Sequence, residues 1–156
     1  MGPDVAVRPF EARDVAAVAA LEAASFSQPW SAETFARMVG QGSTVVRVVE
    51  REGEIIGYGI LLLAIDEAEV ANIAIRRDLR GCGFGACLLD AMLEHARGCG
   101  VTRVVLEVRE SNEAALSLYA SRGFETIGRR AGYYDAPRED ARVLALQWDR
   151  TGGEAT

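Results

Sequence analysis

Residues 80–86 read Arg80-Gly81-Cys82-Gly83-Phe84-Gly85-Ala86, and they stand between a strand-like apolar run and a strongly periodic helix. Glycines let backbone N–H groups approach a ligand closely, and a helix N-terminus adds unpaired donors and the positive end of a dipole. A turn of this kind between strand and helix is a cradle for a pyrophosphate. By itself it is also consistent with nothing more than a tight turn. The spacing Arg-x-x-Gly-x-Gly and the residues downstream give it weight. A P-loop would end Gly-Lys-Ser/Thr, whereas this turn ends Gly85-Ala86-Cys87. A Rossmann fingerprint would need Gly-x-Gly-x-x-Gly near the start of a repeated βαβ unit, and that is not the arrangement here.

The helix that follows carries Leu88, Leu89, Met92, Leu93 and Ala96 as a stripe down one side, and Gly98 and Gly100 end it. The run before the turn, residues 69–75, is nearly continuous apolar sequence and predicts a strand covered on both faces. Upstream, residues 5–8 predict a first strand. Val15, Val18 and Leu21 mark a helix ending near Ser25, and Pro29-Trp30-Ser31 breaks the chain. Ser31 is then placed to cap a second helix through Met38. Strands are predicted at 43–50 and 55–65, joined at Glu52-Gly53, with Asp66-Glu67 turning the chain into the next.

Downstream, Arg103–Arg109 predicts a strand with Val104, Leu106 and Val108 on one face. Residues 112–122 predict a short helix, and Gly123-Phe124 leads into two closing strands, the last at 141–148 with Leu144, Leu146 and Trp148 on one side. The order implies an α/β (α+β) fold: a mixed central sheet with helices on both faces. One domain over residues 1–150 is expected, with 151–156 a frayed tail.

Composition narrows the function classes. The chain of 156 residues is 49% hydrophobic and 26% charged, as in an ordinary globular domain. No apolar run reaches the ~18 residues of a membrane span, and no secretory signal or myristoylation pattern opens the chain. Cys82, Cys87, Cys99 and a single histidine, His95, lack metal-ligand spacing, so no metal is expected and the thiols read as reduced, cytoplasmic ones. A net charge of −6 argues against general nucleic-acid binding and is compatible with a cationic partner.

Four stretches carry a family resemblance: residues 25–31 (Ser25-Phe26-Ser27-Gln28-Pro29-Trp30-Ser31); Asp66-Glu67-Ala68-Glu69 leading to Asn72-Ile73-Ala74-Ile75; residues 106–112 with Leu118-Tyr119 and Gly123-Phe124; and Tyr133-Tyr134 followed by Arg138-Glu139-Asp140-Ala141. In order and spacing they resemble the GNAT superfamily of acetyl-CoA-dependent N-acetyltransferases over essentially the whole chain. Within it they are most similar to ribosomal-protein-alanine N-acetyltransferases of the RimI type. The resemblance implies a mostly antiparallel GNAT-like sheet. It places Ile73, Ala74 and Ile75 where backbone groups bind the pantetheine arm, and Gly81, Cys82, Gly83, Phe84, Gly85 and Ala86 where backbone donors hold the pyrophosphate. It makes Asn112 a cofactor contact, Glu107 the general base and Tyr119 the general acid. Phe26, Trp30, Tyr133 and Tyr134 lie on loops expected to line the acceptor site. Cys82 stands where many relatives carry a basic or polar residue, which a backbone cradle tolerates at some cost in phosphate affinity.

The implied chemistry suits these residue types. An α-amine with pKa ~7.7–8.0 is roughly a tenth neutral at pH 7, whereas lysine near ~10.4 is neutral in well under a thousandth of molecules. A carboxylate then gives enough help, and a tyrosine hydroxyl can serve the departing thiolate. Plainer readings stand beside these. Glu107 alternates with the apolar residues of its strand and fits a solvent-facing position. Tyr119 fits helix packing, and the four aromatics fit the core. Glu67 and Glu69 are rival bases on the preceding strand. The resemblance points to acetyl transfer to the N-terminal alanine of a ribosomal protein, the eighteenth of the small subunit, without membrane or nucleic-acid binding. The alternatives are a GNAT enzyme acting on a small amine or another protein N-terminus, and a non-catalytic acyl-CoA-binding module.

Overall fold

The computed structural model describes residues 4–135 and 137–148. In chain order the elements are β1 (Val5–Pro9), α1 (Val15–Ser25), α2 (Ala32–Met38), β2 (Thr44–Arg51), β3 (Glu54–Leu63), β4 (Glu67–Ile75) and α3 (Phe84–Gly98). Then come β5 (Arg103–Arg109), α4 (Glu113–Ser121), β6 (Glu125–Tyr134) and β7 (Glu139–Gln147). Single 3₁₀ turns lie at Ala12–Asp14 and Arg77–Leu79. The hydrogen-bonded strand order is β1-β2-β3-β4-β5-β7-β6. Pairs β1–β2, β2–β3, β5–β7 and β6–β7 are antiparallel, and β4–β5 is parallel. This is the mixed, mostly antiparallel sheet that the sequence predicts.

Two compact units divide the chain. The first comprises Met1–Leu62 with Asn72–His95, the second Leu63–Ala71 with Ala96–Thr156. Strand β4 and helix α3 each contribute residues to both.

In the first unit the local signals work as read. The Ser31 hydroxyl accepts from the Thr34 N–H at 3.2 Å and starts α2. Glu52 and Gly53 both take positive φ, 51° and 79°, which makes the β2–β3 connection a two-residue hairpin turn. Leu88, Leu89, Met92 and Leu93 of α3 are all buried. Each such side chain contributes about 1.5–3 kcal/mol over leaving it in water. Close packing of α3 on β3 explains why position 59 is glycine: a Cβ there would press on the Met92 sulfur and come within 3.4 Å of Leu88. The glycine-rich turn does not follow β4 directly, because the Arg77–Leu79 turn intervenes.

In the second unit β5 alternates as expected, with Val104, Leu106 and Val108 buried and Arg103, Val105, Glu107 and Arg109 half-buried on the other face. The first half of β4 alternates too: Ala68 and Val70 are buried, while Glu67 and Glu69 are partly open. It is therefore not covered on both faces, and that correction matters because it puts two carboxylates on the open face. The β4–β5 ladder runs from Glu67↔Arg103 to Val70↔Leu106. Strand β4 continues to Ile75, so residues 71–75 take no part in that pairing. Strand β7 starts at Glu139, earlier than the charged sequence suggested, because its first carboxylates are satisfied. Glu139 accepts from the Ser111 N–H at 2.6 Å and Asp140 from the Gly132 N–H at 2.8 Å. Trp148 ends the described chain with its indole N–H on the Val101 carbonyl, 2.6 Å away. The expected tail at 151–156 lies outside the described residues.

Candidate active site

The first unit holds the groups read as cofactor-binding. Gly81 and Gly83 take φ of +79° and +90°, and a Cβ at either would meet nothing within 4 Å. The turn is thus an open loop in a backbone conformation that L side chains resist. Helix α3 begins at Phe84, and its first intrahelical bond runs from the Cys87 N–H to the Gly83 carbonyl at 3.2 Å. The N–H groups of residues 83–86 precede that bond and have no intrahelical acceptor, as at any α-helix start. Phe84 is buried and pegs the helix end into the core, while Gly81, Cys82 and Gly83 are exposed. Arg80 turns its guanidinium Nε back onto the Ile75 carbonyl at 3.1 Å, tying the turn to the end of β4. Ile73 is half-buried, and Ala74 and Ile75 are buried. An open, left-handed turn at a helix start, preceded by backbone outside the β4–β5 ladder, fits a pantetheine diphosphate.

Phe26 and Trp30 occupy the α1–α2 loop of the same unit, both partly buried. The Trp30 ring lies 6.1 Å from the Phe35 ring, which stands 6.5 Å from Phe10 and 5.8 Å from Tyr58. Trp30 is therefore anchored to an aromatic core cluster.

The second unit holds the polar groups. Glu107 lies on the open face of β5, paired with the Arg130 guanidinium at 3.3 Å. Glu69 shares that face, being opposite Val105 in the parallel register. Burial raises the Glu69 pKa above the usual carboxylate range, the Glu107 charge adds to the shift, and Arg130 opposes it. Glu67 is instead drawn to Arg103, at 3.8 Å. The Tyr133 phenol is held up in pKa first by its hydrogen bond to Glu107 and then by burial. Tyr134 is pushed up to about 12, by burial first and by Glu107 second. The two tyrosine rings meet edge-on at 5.1 Å, Arg109 lies 4.3 Å from the Tyr134 ring centre, and Arg130 lies 5.4 Å from that of Tyr133. Tyr119 is buried on α4 against Phe124, with ring centres 5.5 Å apart. Burial pushes its hydroxyl well above the ordinary phenol range, with Tyr134 adding to the effect, so it stays protonated. The Asn112 side chain caps α4 by accepting from the Ala115 N–H at 3.1 Å, which fixes the helix that carries Tyr119. Among the described residues no cluster of His, Cys, Asp or Glu could hold a metal ion.

The model of the acetyltransferase (GNAT) family matches residues 15–124. The chain belongs to the GNAT acetyltransferase family. It is 35% identical over 138 residues to the [ribosomal protein bS18]-alanine N-acetyltransferase of Escherichia coli K12, covering 87% of this chain and 93% of that protein. It is 37% identical over 138 residues to the enzyme of the same name from Haemophilus influenzae, covering 86% and 93%. The crystal structure of the E. coli ribosomal-protein-S18-alanine N-acetyltransferase superposes with a TM-score of 0.85 at 31% identity, covering 97% of this chain and 99% of that one.

Within the second unit the structure brings Glu107, Tyr133 and Tyr134 together, and it places Tyr134 close enough to Tyr119 to affect its titration. Sequence reasoning missed Arg130, the ion-pair partner of Glu107, and Glu22, a buried carboxylate on α1. Arg130 has no local signal, since two irregularities in the β6–β7 register decide where it lands. Glu22 had one: it stands four residues after Val18, inside the apolar stripe of α1.

Proposed function

We propose that this chain is an acetyl-CoA-dependent N-acetyltransferase of the cytoplasm, acting on the N-terminal alanine of ribosomal protein bS18. The observation that carries the reading is Glu107 held on an open sheet face by Arg130 and Tyr133, in a chain whose relatives bear that activity in their names. Acetyl-CoA, when bound, supplies an acetyl thioester.

Glu107 takes a proton from the acceptor α-ammonium, directly or through water. With a pKa of ~7.7–8.0, that ammonium needs only modest help to become a nucleophile. Residues 73–75 and the 81–86 turn bind through backbone groups, so their role is to orient. Tyr119, protonated throughout the working range, donates a hydrogen bond toward the departing sulfur. A thiol has a pKa near ~8.5, so this phenol is a poor source of a fully transferred proton and a good donor to developing negative charge. The amine attacks directly, and no nucleophilic side chain is required.

The test uses three peptides: one starting with the alanine of bS18, its N-terminally blocked form, and one whose only amine is a lysine. Turnover of the first alone is expected. Equal turnover of the blocked or lysine peptide overturns α-amine specificity. Failure on all three with robust turnover of a small amine overturns the protein acceptor.

A further inference from the structure

Glu22 sits on α1 with only 1% of its surface exposed. A buried carboxylate is costly unless donors surround it. Three do. The Asn72 amide donates to Oε1 at 2.8 Å, the Tyr58 hydroxyl donates to the same oxygen, and the Trp30 backbone N–H donates to Oε2 at 2.9 Å. Tyr58 is fully buried, and burial together with Glu22 keeps its phenol protonated as the donor. The main chain joins in, because the Glu22 carbonyl accepts from the Phe26 N–H at 3.0 Å. The ordinary helix bond that ends α1 thus fixes the Phe26 end of the α1–α2 loop, and the Glu22 side chain holds its Trp30 end. Its carboxylate also ties that loop to β3 through Tyr58 and to β4 through Asn72, the residue just before the 73–75 backbone.

We propose that Glu22 is a positioning residue for the acceptor: its buried carboxylate holds the Phe26–Trp30 loop in the one conformation that receives the incoming N-terminus. This inference rests on the reading of Phe26 and Trp30 as acceptor-lining residues. The geometry favours a role in orientation over a role for charge. A glutamine at position 22 can keep its oxygen on the Trp30 N–H and turn its amide toward Tyr58 and a flipped Asn72, both of which can accept. A leucine fills a similar volume and leaves the Trp30 N–H, the Tyr58 hydroxyl and the Asn72 amide without their shared acceptor.

The experiment compares Glu22→Leu and Glu22→Gln with wild type in peptide KM, kcat, acetyl-CoA Kd by calorimetry, and hydrogen exchange over residues 26–31. For Glu22→Leu the expected result is a peptide KM raised about tenfold with faster exchange at the Trp30 amide, while acetyl-CoA Kd stays within about twofold. Glu22→Gln is expected to stay within about twofold of wild type throughout. A peptide KM unchanged in Glu22→Leu, or one that moves in parallel with acetyl-CoA Kd, overturns the proposal. Should Glu22→Leu fail to fold, the double variant Tyr58→Phe/Asn72→Ala takes its place under the same criteria. If wild type turns over no N-terminal peptide, the functional reading fails, and exchange alone then judges the loop anchor. A Trp30 amide that exchanges in wild type as fast as an open loop overturns it.

Discussion

Glu107 works among neighbours of both signs: Arg130 pairs with it at 3.3 Å, Tyr133 hydrogen-bonds to it, and Glu69 shares its sheet face. If Glu107 is the acceptor's base, as proposed, an amide cannot replace it. Glu107→Gln is expected to lower kcat by about 10²–10⁴-fold, and Tyr119→Phe to lower it without changing acetyl-CoA affinity. Because burial keeps Tyr119 protonated, its deficit should be flat across pH 6 to 9. Steady-state kinetics over that range check both, and wild-type kcat in either variant removes that residue from the mechanism. Glu69 makes a different prediction. Its raised pKa means that its favourable share of stability is complete below the ordinary carboxylate pKa and is lost as pH rises through the folded value. Glu69→Gln should therefore melt higher than wild type at pH 7, keep its activity, and lose the advantage near pH 4. Melting curves at the two pH values test this. An inactive Glu69→Gln would transfer the base role to Glu69.

At the scale of elements, the proposed cofactor cradle depends on backbone shape at the start of α3. Gly83 holds φ of +90° in open space, so a side chain there strains the turn without colliding with the core. Gly83→Val is expected to fold and to weaken acetyl-CoA binding by about tenfold or more, which is about 1.4 kcal/mol. Calorimetry on the folded variant checks this, and unchanged affinity would displace the cradle from this turn. Elements like this one were legible because their signals are local. Ser31 caps α2, Glu52-Gly53 makes a hairpin, and β5 shows its buried face in Val104, Leu106 and Val108. The start of β7 was not, because Glu139 and Asp140 look like loop residues until Ser111 and Gly132 supply their donors. The first half of β4 misled for the opposite reason: the apolar run that follows it hid the open face of Glu67 and Glu69.

On the whole-molecule scale, the family was readable from ordered motifs, while the setting of the chemical groups was not. Glu107 could be named only from the family resemblance, its strand alone fitting a solvent-facing position, and Arg130 reaches it through the shifted register of β6 on β7. Glu22 signalled burial by its place in the apolar stripe of α1, but its partners Tyr58, Asn72 and Trp30 come together only in the tertiary structure. Together these parts support transfer of acetyl to a protein α-amine with Glu107 as the proposed base. The measurement that tests it most directly is intact-mass analysis, with fragment localisation, of purified bS18 incubated with acetyl-CoA and either wild type or Glu107→Gln. A single acetyl group on the N-terminal alanine is expected with wild type, and a rate lower by about 10²-fold or more with the variant. Acetylation at lysines, no acetylation of bS18 by a folded wild-type enzyme, or equal rates for the two proteins would contradict it.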